Sequence, residues 1–294
     1  SLGLVGSEMC IRDRYEGVNR ANYMEENKAN IDFEGKEAMY GEVYFLRAYY
    51  YFELVKFFGD VPLFTEARLT AGQAGTLTRT PKDEVYAQIE LDLQNAIASL
   101  PNSQSQVGRV NKYTAYALLG KVLLYQDKFA EAASALDNVI GVYSLVSDYG
   151  SQFLRFGENG PESVFEIQYS NQSNWYDWGC AHCSEGNYAI IMNGPRGWSG
   201  PEYAQGWSFN VPTEEFYNSF EEGDSRRDAT VLDIEAFAAA TGSSYTEGYD
   251  HTGYFNNKYI PRAGESGGQT ELNYLTNFRI IRYSDVLLIC LLYT

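Results

Sequence analysis

All four tryptophans of the 294-residue chain, Trp175, Trp178, Trp198 and Trp207, fall within one stretch of 33 positions. Tyr176, Tyr188 and Tyr203 lie among them, with Asn171, Asp177, Asn193 and Arg196 alongside. Sugar rings present apolar C–H faces that stack on flat side chains, while polar neighbours bond the hydroxyls. Residues 170–210 are also rich in Gly, Asn and Ser and follow neither a helical nor a strand period. A long irregular loop of that kind inside a compact chain is usually functional. The candidate ligand-binding residues are therefore Trp175, Tyr176, Asp177, Trp178, Tyr188, Asn193, Arg196, Trp198 and Tyr203. For the tryptophans two readings stand side by side: a stacking platform, or rings that pack a loop lacking regular structure.

Other chemistries have less footing. Cys180-Ala181-His182-Cys183 has a Cys-x2-Cys spacing, but a structural zinc needs four ligands, and outside the chain ends only His251 remains to add. No metal and no cofactor are expected; a small loop disulfide and a pair of free thiols are both open. The carboxylates Glu214-Glu215 and Glu221-Glu222 are adjacent, whereas a glycosidase sets two across a cleft. There is no Ser-His-Asp signature and no phosphate-binding glycine loop. Catalytic residues are expected to be absent.

The elements that must position the aromatic stretch read as helical. Lys36–Phe58 carries two apolar stripes, Val43/Leu46/Tyr50/Leu54 and Phe45/Tyr49/Phe52/Val55, which predicts burial on more than one side. Gly59-Asp60 and Pro62 stop it. Thr80 is the predicted N-cap of a second helix over 81–99, with Pro81, Asp83 and Glu84 suited to its first turn and Val85, Ile89, Leu93 and Ile97 as its stripe. Tyr116-x2-Leu119-Gly120-x2-Leu123, then Phe129, Ala132, Leu136 and Val139, matches the 34-residue tetratricopeptide unit. Gly120 and Ala132 are small where its two helices, 112–126 and 128–143, would cross. One such unit cannot bury both faces, so the preceding helices are its expected neighbours. Glu162–Tyr169 alternates like a strand, 212–220 reads as a short helix opened by Thr213, 242–268 as loop, and 278–288 as helix again. The fold class is thus mostly α: tetratricopeptide-like helical hairpins carrying a long, irregular, partly β ligand-binding region.

Six stretches in order resemble the SusD/RagB family of outer-membrane nutrient-binding lipoproteins. Glu42 to Pro62, with Arg47-Ala48, Tyr51-Phe52 and Gly59-Asp60-Val61-Pro62, is similar to the family's hallmark helix. Thr80-Pro81-x-Asp83-Glu84-Val85-Tyr86 resembles its next one, and Gly108-Arg109-Val110-Asn111 with the helix through Tyr125 the one after. Glu162 to Gln168 is similar to a family strand. Gly206-Trp207-x-Phe209-Asn210-Val211-Pro212-Thr213, with Phe220 and Asp224-x-Arg226-Arg227, and finally Arg282-Tyr283-Ser284-Asp285-Val286-Leu287-Leu288, complete the set. Trp207 sits in one of these elements, which favours packing for that ring.

The resemblance implies a non-catalytic, surface-exposed lipoprotein of the outer membrane. It would bind an oligosaccharide or polysaccharide and deliver it to a SusC-type TonB-dependent transporter. RagB-type relatives take peptides, so a peptide- or protein-binding repeat protein is the alternative, and a glycoside hydrolase a weaker one. The family's signal peptide and lipidated cysteine are not in this sequence, and membrane association would run only through that N-terminal lipid anchor.

The net charge of −17 would repel nucleic acid, and no apolar run is long enough to span a bilayer. Residues 1–14 (SLGLVGSEMCIRDR) and 290–294 (CLLYT) resemble a translated sequencing adapter, and on that reading Cys10 and Cys290 carry no meaning. The expected organisation is a helical repeat region over 15–145, an irregular ligand-binding region over 146–270 and the start of a C-terminal repeat helix over 271–289.

Overall fold

The computed structural model describes residues 2–172, 184–266 and 272–292. The chain divides into two compact units, 1–143 with 281–294, and 144–280.

The first unit is a stack of helices: α1 (Leu2–Glu26), α2 (Lys36–Phe58), the single turn α3 (Ala71–Ala74), α4 (Lys82–Ser99), α5 (Lys112–Leu124), α6 (Phe129–Leu136) and, from the far end of the chain, α11 (Tyr283–Leu291). α2 packs on α1 and α4, α4 on α5, α5 on α6, and α11 on both α5 and α6. That is the run of neighbouring helices the repeat pattern requires, and the helix-dominated class is as expected. Burial on more than one side of α2 holds, partly through predicted stripe residues and partly through others. Tyr40, Tyr44, Ala48 and Tyr51 join Phe45, Phe52, Leu54 and Val55 inside, whereas Leu46 is exposed. Tyrosines reach the core because their hydroxyls find acceptors: Tyr40 donates to Met24 O at 2.8 Å and Tyr51 to Phe64 O at 2.8 Å.

Three local expectations change. Thr80 does not cap α4; its hydroxyl accepts from Leu63 N, and Asp60 Oδ1 accepts from Lys82 N at 2.9 Å instead. The cap comes from across a turn because Val61 and Thr80 form a β-bridge that uses the Thr80 backbone. The helix expected over 128–143 stops at Leu136, and the chain turns through Gly141, whose φ of 81° only glycine takes without strain. The helix expected over 278–288 begins as a strand, and α11 starts only at Tyr283.

Gly120 behaves as its place in the repeat pattern requires. A Cβ built there would overlap the Leu136 side chain, which is fully buried. Replacing Gly120 with Leu is expected to destabilise the helical unit by about 1–3 kcal/mol or more, since overpacking drives side chains off their rotamers. A urea midpoint equal to the parent's would show that α5 and α6 do not meet there.

The second unit holds short elements on two small cores. They are β1 (Ser163–Ile167), α7 (Ala189–Met192), β2 (Arg196–Ser199), α8 (Glu214–Asn218), α9 (Arg226–Thr230), β3 (Val231–Asp233), α10 (Ile234–Thr241), β4 (Ser244–Thr246), β5 (Tyr254–Asn256) and β6 (Phe278–Arg282). β1 pairs with β6, β2 with β4, and β3 with β5. The strands β4 and β5 lie where the sequence read as loop, because three residues each are too few to carry a period. β1 does not alternate inside-out: Val164, Phe165 and Glu166 are all buried. Glu166 is tolerated inside because Asn277 Nδ2 donates to it at 3.1 Å and the Arg279 guanidinium lies 3.5 Å away.

Candidate functional site

Two chain segments, 191–196 and 206–209, run against each other and build the frame of the aromatic region. Trp207 N donates to Ile191 O, Phe209 N to Met192 O, Ser208 N to Gly194 O and Gly206 N to Pro195 O, each at 2.8 Å. Gly194 and Gly206 meet backbone to backbone at the crossing, where any side chain on Gly206 would strike the Gly194 main chain. Three residues in this region, Glu202, Ser208 and Asn210, hold φ of 70°, 58° and 52° although none is glycine. Left-handed backbone of that kind is unfavourable, and it gathers where surrounding structure holds a functional loop in shape.

The frame sorts the sequence-predicted residues. Tyr203 is 4% exposed and belongs to the core cluster with Leu232, Ile234, Phe255 and Ile260. Burial pushes its phenol up to about 12. Trp198 packs against that cluster, its ring edge-on to Tyr203 at 5.8 Å and tilted against Phe237 at 5.9 Å. Asn193 is also buried: its amide donates to Ala189 O and Tyr259 O, and its carbonyl accepts from Asn210. These three hold the loop together, because a chain with so little regular structure must satisfy its backbone through side chains and pin itself with rings. Trp207 packs on the second core cluster, Ile190, Ile191 and Tyr274. Trp175, Tyr176, Asp177 and Trp178, with Cys180, His182 and Cys183, lie outside the described residues.

Arg196 and Tyr188 remain at the surface. The Arg196 guanidinium is held in place, Nε donating to Trp207 O at 2.6 Å and the plane lying 5.6 Å from the Phe209 ring centre. Phe209 is 51% exposed and edge-on to Trp207. β4 brings a further ring to the same place. Arg196 is the register partner of Thr246, and Gly248 sits so close to Ser208 that a Cβ there would lie 2.8 Å from the serine Cβ. Tyr249 follows immediately, 93% exposed. Phe209 thus lies beside Arg196 on a frame locked by backbone bonds, and the exposed Tyr249 follows three residues after Thr246, the register partner of Arg196. The sequence reading passed over both rings. Phe209 lay inside a family-like structural run, and Tyr249 stood alone between Gly248 and Asp250. An isolated ring with no apolar neighbour was the available signal.

Such an arrangement offers an exposed ring beside a fixed fork of N–H donors, with a second exposed ring on the neighbouring segment. It suits binding of a flat or ring-shaped polar ligand. No group of three or more His, Cys, Asp or Glu able to hold a metal occurs among the described residues.

One unit of stacked helices and a second of short elements with a loop-built aromatic patch are features that can be compared with known proteins. Residues 12–124 match the SusD-like family described as starch-binding associating with outer membrane. The chain is 31% identical over 281 residues to SusD-like protein P2 of Formosa agariphila, covering 90% of this chain and 52% of that one. Among solved structures, a laminarin binding SusD-like protein superposes with a TM-score of 0.89 at 36% identity, covering 96% of this chain and 65% of the other. Surface glycan-binding protein A from Bacteroides thetaiotaomicron, in complex with laminarihexaose, does so with a TM-score of 0.85 at 28% identity over 96% and 63%. The chain belongs to the SusD-like family. It spans about half the length of the curated relatives it matches.

Proposed function

We propose that this chain is the glycan-binding part of a surface lipoprotein of the outer membrane, and that it captures oligo- or polysaccharide without cleaving it. The captured chain passes to a SusC-type TonB-dependent transporter. The observation that carries the reading is the exposed Phe209 ring beside the immobilised Arg196, with the exposed Tyr249 three residues beyond Thr246, the strand partner of Arg196. Rings that merely pack a loop end up inside, as Tyr203 does; these two stay in solvent. Two structural relatives named for laminarin point to a β-glucan as the first ligand to try. Among the sequence-predicted positions, Arg196 is the one on which this reading rests, and Trp175, Tyr176, Asp177, Trp178 and the exposed Tyr188 are proposed to extend the site.

The test is isothermal calorimetry of the chain against laminarihexaose, other neutral oligosaccharides and a peptide library, with an assay for released reducing ends alongside. Saturable glycan binding without new reducing ends is the expected result. Binding confined to peptides would replace the reading with a peptide-capturing one, and released reducing ends would make the protein an enzyme.

A further inference from the structure

Charge is unevenly shared along the chain. Residues 144–280 contain seven Lys and Arg against nineteen Asp and Glu, so −12 of the total −17 belongs to the unit that carries the platform. Most of its cations are already engaged. Arg226 pairs with Asp224, Arg227 with Asp228, Arg262 with Glu202 and Arg279 with Glu166, and the Lys258 ammonium lies over the Tyr149 and Phe153 rings. At the platform only Arg196 offers positive charge, and its two terminal nitrogens make no hydrogen bond or ion pair among the described residues. Two carboxylates bracket Tyr249. Glu247 sits between Thr246, which pairs with Arg196, and Gly248, which touches Ser208; Asp250 follows Tyr249. Both are exposed and neither takes part in an ion pair or hydrogen bond among the described residues.

From this juxtaposition we infer that the platform selects uncharged glycans and turns away uronate- or sulfate-bearing ones by charge, with Glu247 and Asp250 as the selecting residues. The inference rests on the glycan-binding reading above and names the ligand class for that site. One guanidinium would attract an anionic sugar, but two unpaired, exposed carboxylates stand within four residues of Thr246, the strand partner of Arg196, and the whole unit is strongly negative. In water two like unit charges about 8 Å apart disfavour each other roughly twofold, and a ligand charged on every ring multiplies such a penalty. A neutral sugar escapes it and still gives Arg196 hydroxyl oxygens to donate to. Selection by charge differs from selection by shape in one readable way: salt removes it.

The experiment titrates the full chain with laminarihexaose and with the same hexasaccharide oxidised at C6 to uronates. Each is run at about 20 and about 500 mM salt, where the screening length falls from roughly 20 Å to roughly 4 Å. The oxidised sugar is expected to bind at least tenfold more weakly at low salt, with that gap shrinking severalfold at high salt. In the E247Q/D250N variant the low-salt ratio of the two affinities is expected to move about fivefold toward the oxidised sugar. A gap that neither salt nor the double substitution moves would mean selection by shape and overturn the inference, as would an oxidised sugar bound equally well or better, and in both cases the glycan-binding reading would survive. If neither sugar binds but a peptide does, that reading falls and takes the inference with it.

Discussion

Replacing Asp92 by Ala is expected to lower the stability of the helical unit by about 3–5 kcal/mol, the usual result of stripping one partner from a buried ion pair. Asp92 is fully buried, and the Arg47 side chain is 5% exposed. The pair is bidentate, Arg47 Nε donating to one carboxylate oxygen at 2.8 Å and Nη2 to the other at 2.7 Å. Arg47 Nη1 also donates to Asn22 Oδ1 and Thr65 O, both at 3.0 Å, so one guanidinium ties α1, α2, α4 and the loop after Pro62 together. Burial pushes the Asp92 carboxyl above the ordinary carboxylate range, while its bonds to Arg47 and Gln88 pull the other way. Without Asp92 the guanidinium keeps its charge in a place water does not reach. A single domain is stable by only about 5–15 kcal/mol, so the loss is a large fraction of the whole. Urea unfolding followed by far-ultraviolet circular dichroism measures it. The double variant R47M/D92L is expected to be more stable than Asp92→Ala, because no lone charge is left behind. An Asp92→Ala midpoint at the parent's value would mean that water enters the pair.

Substitution at the platform is expected to separate binding from stability. Phe209→Ala should weaken laminarihexaose binding about tenfold. A stacked ring contributes roughly 0.5–1.5 kcal/mol beyond the area it buries, and about 1.4 kcal/mol is a factor of ten. Arg196→Ala should weaken it about ten- to a hundredfold, because a charged donor to ligand hydroxyls contributes roughly 1.5–3 kcal/mol. Arg196→Lys is not expected to rescue: an ammonium cannot hold Trp207 O and present a planar fork at once. Melting temperatures of these exposed variants should stay near the parent's. Trp198→Ala supplies the contrast. Its ring lies against Tyr203 and Phe237, so its melt should fall first, and binding should suffer only as the frame loosens. Unchanged affinity in Phe209→Ala and Arg196→Ala, with binding lost in Trp198→Ala at a normal melting temperature, would return the site to the tryptophans.

Local pattern carried the helical half of this protein. The extent of α2, Lys36–Phe58, was legible because its stop residues and its helical apolar spacing agree, and agreement across levels is what makes a segment readable. Gly120 as a crossing point was legible for the same reason: it acts within one repeat unit. The aromatic stretch was legible as a region, since composition alone marks it. Which of its rings face a ligand was not. Trp198, Tyr203 and Phe209 are all large rings in a glycine-rich run, and only tertiary contacts separate them. Phe255 and Ile260, more than fifty residues further along the chain, build the core that takes Tyr203 and Trp198 in. Phe209 and Tyr249 stay outside because β2, β4 and the Gly248–Ser208 contact join segments forty residues apart. Asn193 reads as a hydroxyl-binding amide until Ala189, Asn210 and Tyr259 are found to use every polar atom of its side chain. Periodicity and capping are short-range and belong to the sequence; exposure depends on what the rest of the chain brings to the same place, and only the folded structure decides it.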